Sequence, residues 1–331
     1  MLVSIIMATY NRASTLPRAI DSVLAQDHPD WEILVVDDGS TDATGEVLAH
    51  YNDGRIQLMG LPENRGVAAA RNVALERMRG QWFTLLDSDD EIVPHALTRL
   101  LRVPAEVDPA IDAVTCNCRD PVSGLFTGLG VDHDQYLDLA TEIGRCSGGF
   151  WGLTQTALVG DLRFNERLAG GENVFFYRIS ERARRYYVHE ALHIYHTEGQ
   201  GHLGGRDVMV GLDARRRFYA AVVQEREYLD LLRRFSRPKY AQVILNAAVL
   251  AIADGRREQA HELAHDLKDV GSVSQRTFVA CGRVVGGRWM RRALPAVARA
   301  KVTAGSVRAA VSGRLSGKRR RRPRQRRDDG R

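Results

Sequence analysis

The sequence predicts an α/β fold in which helices cover both faces of a mainly parallel sheet. Over the first 120 residues, short apolar runs alternate with helical patterns, and several runs are apolar at successive positions, as buried parallel strands are. Strand and helix alternation of this kind is typical of a parallel sheet. Polar clusters directly follow three of the runs, and such sheets bind ligands at the carboxyl ends of their strands.

The elements of the N-terminal part follow one another in a regular order. Five strands are expected, at Val3–Ala8, Glu32–Val36, Ile56–Leu61, Trp82–Leu86 and Ala113–Cys116. Helical patterns lie between them, at Thr15–Ala25, Ala43–His50, Gly66–Arg79 and Pro94–Leu101. Asp42, and Asp90 or Glu91, supply acidic residues near helix starts, and Pro94 suits a first helical turn.

The rest of the chain is less regular. Residues 120–147 are rich in Gly and Asp, and we expect a long loop over the site, since loops of that length are usually functional or mobile. Two further short strands are expected at Arg184–His189 and Ala191–His196. From about Asp207 the pattern is helical, and Tyr240–Asp254 with Arg257–Lys268 resembles an antiparallel helix pair.

These patterns predict three regions and a strongly uneven charge. A domain is expected at 1–206, with halves 1–100 and 101–206, then a helical region at 207–304 and a basic, disordered tail at 305–331. The segment Lys318–Arg327 carries eight positive charges. Asp328, Asp329 and Arg331 together add −1, so the net charge of +6 leaves residues 1–317 at 6 − 8 + 1 = −1.

The sequence also carries signals about the compartment. It contains no apolar run of 18 residues, so we expect no transmembrane helix, and the N-terminus lacks the features of a signal peptide. Its four cysteines form no Cys-x-x-Cys pair, which favours reduced thiols over a zinc site. We expect a cytoplasmic protein, peripheral at the inner face of the membrane if the basic tail binds lipid.

Three carboxylates follow the fourth apolar run, in the segment Leu85-Leu86-Asp87-Ser88-Asp89-Asp90. Because successive side chains alternate across a strand, a strand that ends in Asp-x-Asp places Asp87 and Asp89 on the same side. Carboxylate oxygens are the ligands that Mg²⁺ and Mn²⁺ prefer. The alternative for this segment alone is a polar turn after a buried strand.

Four motifs occur in order within the first 100 residues: Val3–Arg12, Ile33–Asp42, Glu63–Gly66 with Arg71-Asn72, and Leu86–Asp90. Together they resemble the family 2 glycosyltransferases, enzymes of the GT-A fold. The resemblance is dense to residue 100, looser to about 205 and absent beyond. It implies metal-dependent, inverting transfer of a sugar from a nucleotide-sugar donor, UDP-linked, to a saccharide or lipid-linked acceptor in cell-surface polysaccharide or glycoconjugate assembly.

The resemblance implies a nucleotide site at the ends of the first two strands. Tyr10 would stack on the flat base, as aromatic faces do, and Thr9 is assigned to the same nucleotide site. Asp38 would accept a hydrogen bond from the uracil N3–H, and Asp37 would brace the turn. Spacing alone does not decide between these two neighbouring aspartates, and the family pattern favours Asp38.

The same resemblance implies a diphosphate and metal site. Arg71 would grip the diphosphate or hold Asp89 in place. Asp87 resembles the residue that contacts the donor ribose or sugar and is also assigned as catalytic, and Ser88 is assigned to the same donor site. Asp89 resembles the ligand of Mg²⁺ or Mn²⁺, and His196 is assigned as a further metal ligand.

Transfer also needs a base for the acceptor hydroxyl, and in the family a Glu-Asp pair at a helix start provides it. The matching stretch here is Gly170-Gly171-Glu172-Asn173, so an amide replaces the second acid. Glu172 is assigned as the base, with Asp161 or another acid as alternatives, while Asn173 suits a helix N-cap. Trp151 resembles a residue that lines the acceptor pocket, or else it belongs to the core.

Two other function classes stay open. A non-catalytic sugar- or nucleotide-binding module would explain Asn173, whereas a sugar nucleotidyltransferase would need a Gly-rich phosphate loop after the first strand. The chain lacks Gln-x-x-Arg-Trp, which argues against a processive polysaccharide synthase. The tail could bind anionic lipid, at about 1 kcal/mol per basic residue, bind nucleic acid without specificity, or have no partner. Of these alternatives we favour binding of the tail to an anionic membrane, and we expect no specific binding of nucleic acid.

Overall fold

A computed structural model describes residues 1–168, 170–196, 212–272, 274–277 and 279–280. The strands in these ranges are β1 (Val3–Thr9), β2 (Trp31–Asp37), β3 (Ile56–Gly60), β4 (Trp82–Leu85), β5 (Glu91–Ile92), β6 (Ala113–Arg119), β7 (Gln135–Tyr136), β8 (Phe150–Gln155) and β9 (Arg185–Ile194). The helices are α1 (Leu16–Leu24), α2 (Thr44–Ala49), α3 (Val67–Leu75), α4 (Ala96–Glu106), α5 (Leu139–Gly144), α6 (Glu172–Ser180), α7 (Leu212–Val222), α8 (Arg226–Phe235), α9 (Arg237–Ala253) and α10 (Arg257–Val270).

All the strands belong to one sheet, in the order β3-β2-β1-β4-β8-β6-β9-β5, with β7 paired to β9. Strands β3, β2, β1 and β4 are parallel, which confirms the predicted arrangement of the N-terminal part. Strand β8 is antiparallel to both β4 and β6. Strands β1, β4 and β6 therefore run in the same direction, and their C-terminal ends share one edge of the sheet.

Helices bury both faces of the parallel strands, so each strand contributes alternate residues to two cores. On one face Ile5 and Val35 pack with apolar residues of α1 and α4. On the other face Ile6 and Leu34 pack with residues of α3 and α6. Burial on both faces explains why these strands are apolar at successive positions.

The expected loop at 120–147 contains two short elements, so that prediction is partly wrong. Strand β7 pairs with β9 through Gln135 and Tyr136. Helix α5 begins after Asp138, whose Oδ1 accepts a hydrogen bond of 2.7 Å from the backbone N–H of Thr141. Elements of two and six residues are too short to show a periodicity, and they depend on their tertiary partners.

The strands expected at Arg184–His189 and Ala191–His196 are one continuous strand, β9. Its register against β6 shifts on either side of Asn117, and this irregularity interrupts the apolar alternation without ending the strand. The Gly-rich segment around Trp151 forms strand β8. A Cβ at Gly152 would lie 2.0 Å from the carbonyl oxygen of Val114, so this glycine permits close approach of β6.

The described residues fall into two compact units, one within Met1–Val243 and one that begins at Ile244. The two helices expected after Tyr240 are present as α9 and α10, and Gly255 between them has a φ of 77°, a value that favours glycine. Within the described ranges, no helix is both long and apolar enough to cross a lipid bilayer. The predicted boundaries at 206/207 and 304/305, Cys281 and the basic tail lie outside the described residues. Cys116, Cys118 and Cys146 are free and buried.

A buried carboxylate joins the N-terminal ends of the parallel strands. Glu32 of β2 accepts hydrogen bonds from Ser4 Oγ of β1 (2.7 Å), from Gln57 Nε2 of β3 (2.8 Å), and from the backbone and guanidinium of Arg79 just before β4. Burial by itself raises the pKa of Glu32, but the hydrogen bonds from Ser4 and Arg79 outweigh it and hold the pKa below its usual value. The ionised form of Glu32 therefore stabilises the fold.

We expect Glu32→Gln to lower the free energy of unfolding by about 1–3 kcal/mol at pH 7, because a buried charged hydrogen-bond network loses its acceptor. Since folding lowers the pKa of Glu32, this stabilisation is present above the ordinary glutamate pKa of about 4.3 and is lost as the pH falls below it. Urea unfolding at pH 7 and pH 4 should show a difference between wild type and variant that shrinks in acid.

The matched control is Glu106→Gln, which removes a largely exposed partner 3.6 Å from Arg99. Exposed ion pairs of this kind contribute about 0–1 kcal/mol. Equal urea midpoints for wild type and Glu32→Gln at pH 7 would show that the network does not stabilise the sheet.

Candidate active site

The loops after β1, β2 and β4 meet at one edge of the sheet, as the sequence predicts. Asn11 Oδ1 accepts a 2.8 Å hydrogen bond from the backbone N–H of Thr41. The backbone N–H of Asn11 donates to Ser40 Oγ at 2.9 Å. Arg12 Nε lies 3.6 Å from Asp89 Oδ2. These contacts place all three polar clusters around a single site.

The three aspartates converge through a turn and not through strand alternation, which corrects the expectation for Asp87 and Asp89. Strand β4 ends at Leu85, and the backbone N–H of Asp90 donates to the carbonyl of Asp87 at 3.1 Å. One carboxylate oxygen each from Asp87, Asp89 and Asp90 lies within 4.8 Å of the others. Such a set of oxygens suits a hard divalent cation.

Asp90 is the buried member of this set. Burial, together with the charges of Asp87 and Asp89, raises the pKa of Asp90 to about 9. Burial also lowers the pKa of His193 to about 4, and His193 Nε2 lies 3.4 Å from Asp90 Oδ2. A cation among the aspartates would offset the like charges that raise this pKa. The donor set therefore fits Mg²⁺ or Mn²⁺.

Arginines of the first loop and helix α1 surround the acids. The Arg18 guanidinium donates to the carbonyl of Asp89, and Arg18 Nε lies 3.6 Å from Glu91 Oε1. The sequence alone assigned no role in the site to Arg12, Arg18 or Glu91. Their positions in the sequence could have indicated a role, because Arg12 lies just after β1 and Arg18 follows on α1. Ligands of parallel sheets bind at this edge.

Arg71 of α3 links two separate parts of the site. This buried guanidinium places Nη2 2.8 Å from Asp87 Oδ1 and Nη1 2.8 Å from Glu172 Oε1. Burial alone lowers the pKa of Arg71, but the charges of Asp87 and Glu172 outweigh it and hold the pKa above its usual value. Arg71 therefore pairs with Asp87 and not with Asp89, the aspartate expected from the sequence. The carboxylate of Asp89 faces Arg12 instead.

The predicted base lies at the start of a helix, as the resemblance implied. Glu172 is the first residue of α6, and Asn173 beside it is exposed. Asp161, the alternative base, is exposed in the turn after the 3₁₀ segment Thr156–Leu158. Because Arg71 fixes Glu172 next to Asp87, the structure favours Glu172 over Asp161 as the acid nearest the donor site.

The predicted nucleotide residues lie around the ends of β1 and β2. Thr9 is buried, and its Oγ1 has no hydrogen-bond partner among the described residues. Tyr10 is 40% exposed, which leaves its ring accessible for stacking. The Asp38 carboxylate accepts hydrogen bonds from the backbone N–H groups of Arg65 (2.8 Å) and Gly66 (2.7 Å). Each oxygen keeps a lone pair, so contact between Asp38 and uracil stays a prediction.

Asp37 and Ser88 occupy the turns after their strands. Asp37 Oδ1 accepts a 3.0 Å hydrogen bond from the backbone N–H of Ser40, which agrees with the bracing role expected for Asp37. Ser88 is buried between the two aspartates of the Asp-x-Asp pair. Its assignment to the donor site stays a prediction.

Two other predicted residues lie behind the acids. The backbone N–H of His196 donates to Asp90 Oδ1 at 2.8 Å, and its ring Nε2 lies 2.6 Å from Glu91 Oε1. The imidazole therefore engages Glu91, and a metal contact of His196 stays a prediction. Trp151 Nε1 donates to the Leu85 carbonyl at 2.8 Å, and the indole is buried in the core below α1 and α4.

Comparison with protein families matches residues 4–156 to glycosyl transferase family 2. Residues 4–156 form a family 2 glycosyltransferase domain. The match covers β1 to β4, the three polar clusters and Arg71. Glu172 lies beyond it, so the base assignment depends on the structural link through Arg71.

Two curated relatives show how far the sequence likeness extends. The GalNAc(5)-diNAcBac-PP-undecaprenol beta-1,3-glucosyltransferase of Campylobacter jejuni is 31% identical over 201 residues, 58% of this chain and 63% of the relative. The succinoglycan biosynthesis protein ExoO of Rhizobium meliloti is 44% identical over 99 residues, 30% of this chain and 28% of the relative. This chain therefore spans less than two thirds of either relative.

Two solved structures share the fold. TarS 1-349 of S. aureus in complex with UDP-GlcNAc has a TM-score of 0.64 at 20% identity, and the likeness covers 89% of this chain and 92% of that one. The mannosyltransferase PcManGT of Pyrobaculum calidifontis, in complex with GDP-Man and Mn²⁺, has a TM-score of 0.50 at 21% identity, with coverages of 93% and 86%. These likenesses confirm the predicted GT-A fold.

We expect Asp89→Asn to abolish Mn²⁺ binding, since an uncharged amide is a poorer ligand for a hard cation. Asp87→Asn should weaken binding strongly as well. Electron paramagnetic resonance of free Mn²⁺ during titration measures binding without any need for activity. The control is Asp132→Asn, an exposed carboxylate paired only with His133 among the described residues, which should bind Mn²⁺ like the wild type. Unchanged Mn²⁺ affinity in Asp89→Asn would place the metal elsewhere.

Proposed function

We propose that this protein is a metal-dependent inverting glycosyltransferase that moves a sugar from a UDP-linked donor to a hydroxyl acceptor. The acceptor is a saccharide or lipid-linked saccharide in cell-surface polysaccharide or glycoconjugate assembly, at the cytoplasmic face of the membrane. One observation carries the proposal: Arg71 holds Asp87 and Glu172 together at the ligand edge of a family 2 domain. The names of the Campylobacter relative and the TarS complex support the lipid-linked acceptor and the UDP donor.

The donor would lie along the carboxyl edge of β2, β1 and β4. The exposed ring of Tyr10 stacks on the base, and Thr9 Oγ1 and the Asp38 carboxylate offer polar contacts. The diphosphate then extends toward Asp87 and Asp89. A divalent cation held by the aspartates would neutralise charge on the diphosphate as it leaves.

Glu172 is placed to act as the general base. Its Oε1 is held by Arg71, and Oε2 takes the proton of the acceptor hydroxyl. The acceptor oxygen forms a bond to the anomeric carbon while the bond from that carbon to the phosphate oxygen breaks, and the nucleoside diphosphate departs with the electron pair. One displacement from the opposite face inverts the anomeric configuration.

Asn173 motivates the second candidate, a non-catalytic nucleotide-sugar-binding module. A neutral amide does not accept the hydroxyl proton, so only one carboxylate remains at the helix start where the family pattern has two. The two candidates differ in turnover, because a binding module would be stabilised by a nucleotide sugar without releasing the nucleotide. Separate measurements of binding and transfer therefore distinguish them.

Glu172→Gln should reduce transfer at least about 100-fold and leave donor affinity little changed, because a general base acts in the transition state. Donor affinity is measured as the thermal shift with UDP-sugars and Mn²⁺, where a hundredfold excess over Kd stabilises by about 2.7 kcal/mol. Transfer is measured as UDP release with and without acceptor.

The companion variant is Asn173→Asp, which restores the second acid and should retain or raise the rate. Wild-type protein that binds UDP-sugars but releases no UDP with any acceptor would favour the binding module. Unchanged turnover in Glu172→Gln would assign the base to another acid.

We also propose that the basic tail binds an anionic membrane surface. Deleting residues 318–331 removes nine basic and two acidic residues, so co-sedimentation with anionic vesicles should fall, as it should for the wild type at high salt. Transfer to a soluble acceptor should persist. Unaltered vesicle binding and unaltered transfer to a lipid-linked acceptor in vesicles would identify the tail as a solvated end.

A further inference from the structure

A group of exposed apolar side chains lies directly after β6. We define the apolar loop as residues 120–130. Val122 is 74% exposed, Leu125 69% and Leu129 62%, and Phe126 is also exposed. These four residues lie within eight positions of the chain, and groups of exposed apolar side chains mark sites that contact a protein or a membrane.

The apolar loop is a fixed structure. Asp120 Oδ1 accepts hydrogen bonds from the backbone N–H groups of Val122 (3.0 Å) and Ser123 (2.7 Å). The backbone N–H of Asp120 donates to the carbonyl of Leu125 at 3.0 Å. Hydrogen bonding within the loop thus occupies the Asp120 carboxylate and closes the turn that presents Val122 and Leu125.

The loop lies at the edge of the sheet that carries the candidate active site. Strand β6 runs parallel to β4, so both strands end at the same edge. Arg119 at the end of β6 pairs with Ile194 of β9, and Ile194 pairs with Glu91, the residue after Asp90. One strand, β9, therefore lies between the start of the loop and Glu91, which directly follows the aspartate turn.

The form of the loop favours a lipid surface over a protein partner. Val122 and Leu125 protrude from a closed turn, whereas peptide partners bind in apolar grooves or along open strand edges. Arg119, at the base of the loop, is exposed, and a guanidinium in this position suits lipid phosphates. The charged groups that flank the loop on the other side are Asp132, His133 and Asp134, all exposed.

We propose that the apolar loop inserts into the interfacial layer of a lipid bilayer and holds the active-site edge at the membrane. The proposal rests on the proposed transfer to a lipid-linked acceptor, whose reacting hydroxyl would arrive at this edge. It assigns membrane contact to a surface of the folded domain, distinct from the basic tail. Because the apolar loop binds the bilayer through the hydrophobic effect, its binding should persist at high salt, whereas binding of the basic tail should weaken.

The test uses the full chain with vesicles of uncharged phosphatidylcholine and of phosphatidylcholine with anionic phosphatidylglycerol. Leu125→Ser should weaken co-sedimentation with both vesicle types about tenfold, because one buried leucine is worth about that factor in affinity. Val122→Ser should act in the same direction. The matched control is Leu58→Ser, since Leu58 is 44% exposed on β3 at the far edge of the sheet.

Three further readouts complete the test. Donor-induced thermal stabilisation and transfer to a soluble acceptor should be equal in wild type and Leu125→Ser, whereas transfer to a lipid-linked acceptor in vesicles should fall about tenfold. If Leu125→Ser loses vesicle binding but the wild type transfers no sugar to any acceptor, the proposed function is rejected and the membrane contact of the apolar loop is retained.

Wild-type vesicle binding by both Leu125→Ser and Val122→Ser would overturn the inference. A second result would also overturn it. If analytical ultracentrifugation shows a wild-type dimer, and Leu125→Ser dissociates this dimer without changing vesicle binding, the apolar loop contacts a second copy of the chain.

Discussion

The buried guanidinium of Arg71 is the interaction on which the candidate site depends. It lies on α3, and its two ion pairs reach the turn after β4 and the first residue of α6. A buried cation needs paired charges and hydrogen bonds to offset the loss of hydration, and Asp87 and Glu172 provide both. The acid of the donor side and the acid proposed as base therefore share one fixed partner, although 85 residues separate them in the sequence.

Around Asp87 and Glu172, further arginines offset the negative charges of the neighbouring acids. Arg12 and Arg18 face Asp89 and Glu91 from the first loop and α1, while Asp90 lies buried against His193. Burial raises the pKa of Asp90 and lowers the pKa of His193, so both groups tend toward their neutral forms until a cation offsets the negative charges. The aspartates thus range from exposed Asp87 to buried Asp90, and the contact between Asp90 and His193 joins the site to the core.

The second half of the sheet extends the ligand edge beyond the parallel strands. Strand β8 reverses direction between β4 and β6, so β6 again ends beside the site, followed by the apolar loop. The family 2 match ends at residue 156, and the proposed base, Glu172, and the end of β9 come from later segments. The proposed base thus lies outside the region that the family comparison matches, whereas the apolar loop lies within it.

The sequence by itself determined the fold class, the first four strands with their helices, and the convergence of three polar clusters, because both-face burial produces apolar runs that local patterns reveal. It also predicted Asp87, Asp89 and Glu172 as site residues. Only the tertiary structure decided that Arg71 joins Asp87 to Glu172, that Arg12 faces Asp89, and that Asp90 is buried. Strands β5, β7 and β8 likewise depend on pairing with distant segments. Contacts between residues far apart in sequence leave no periodic signal in a single chain.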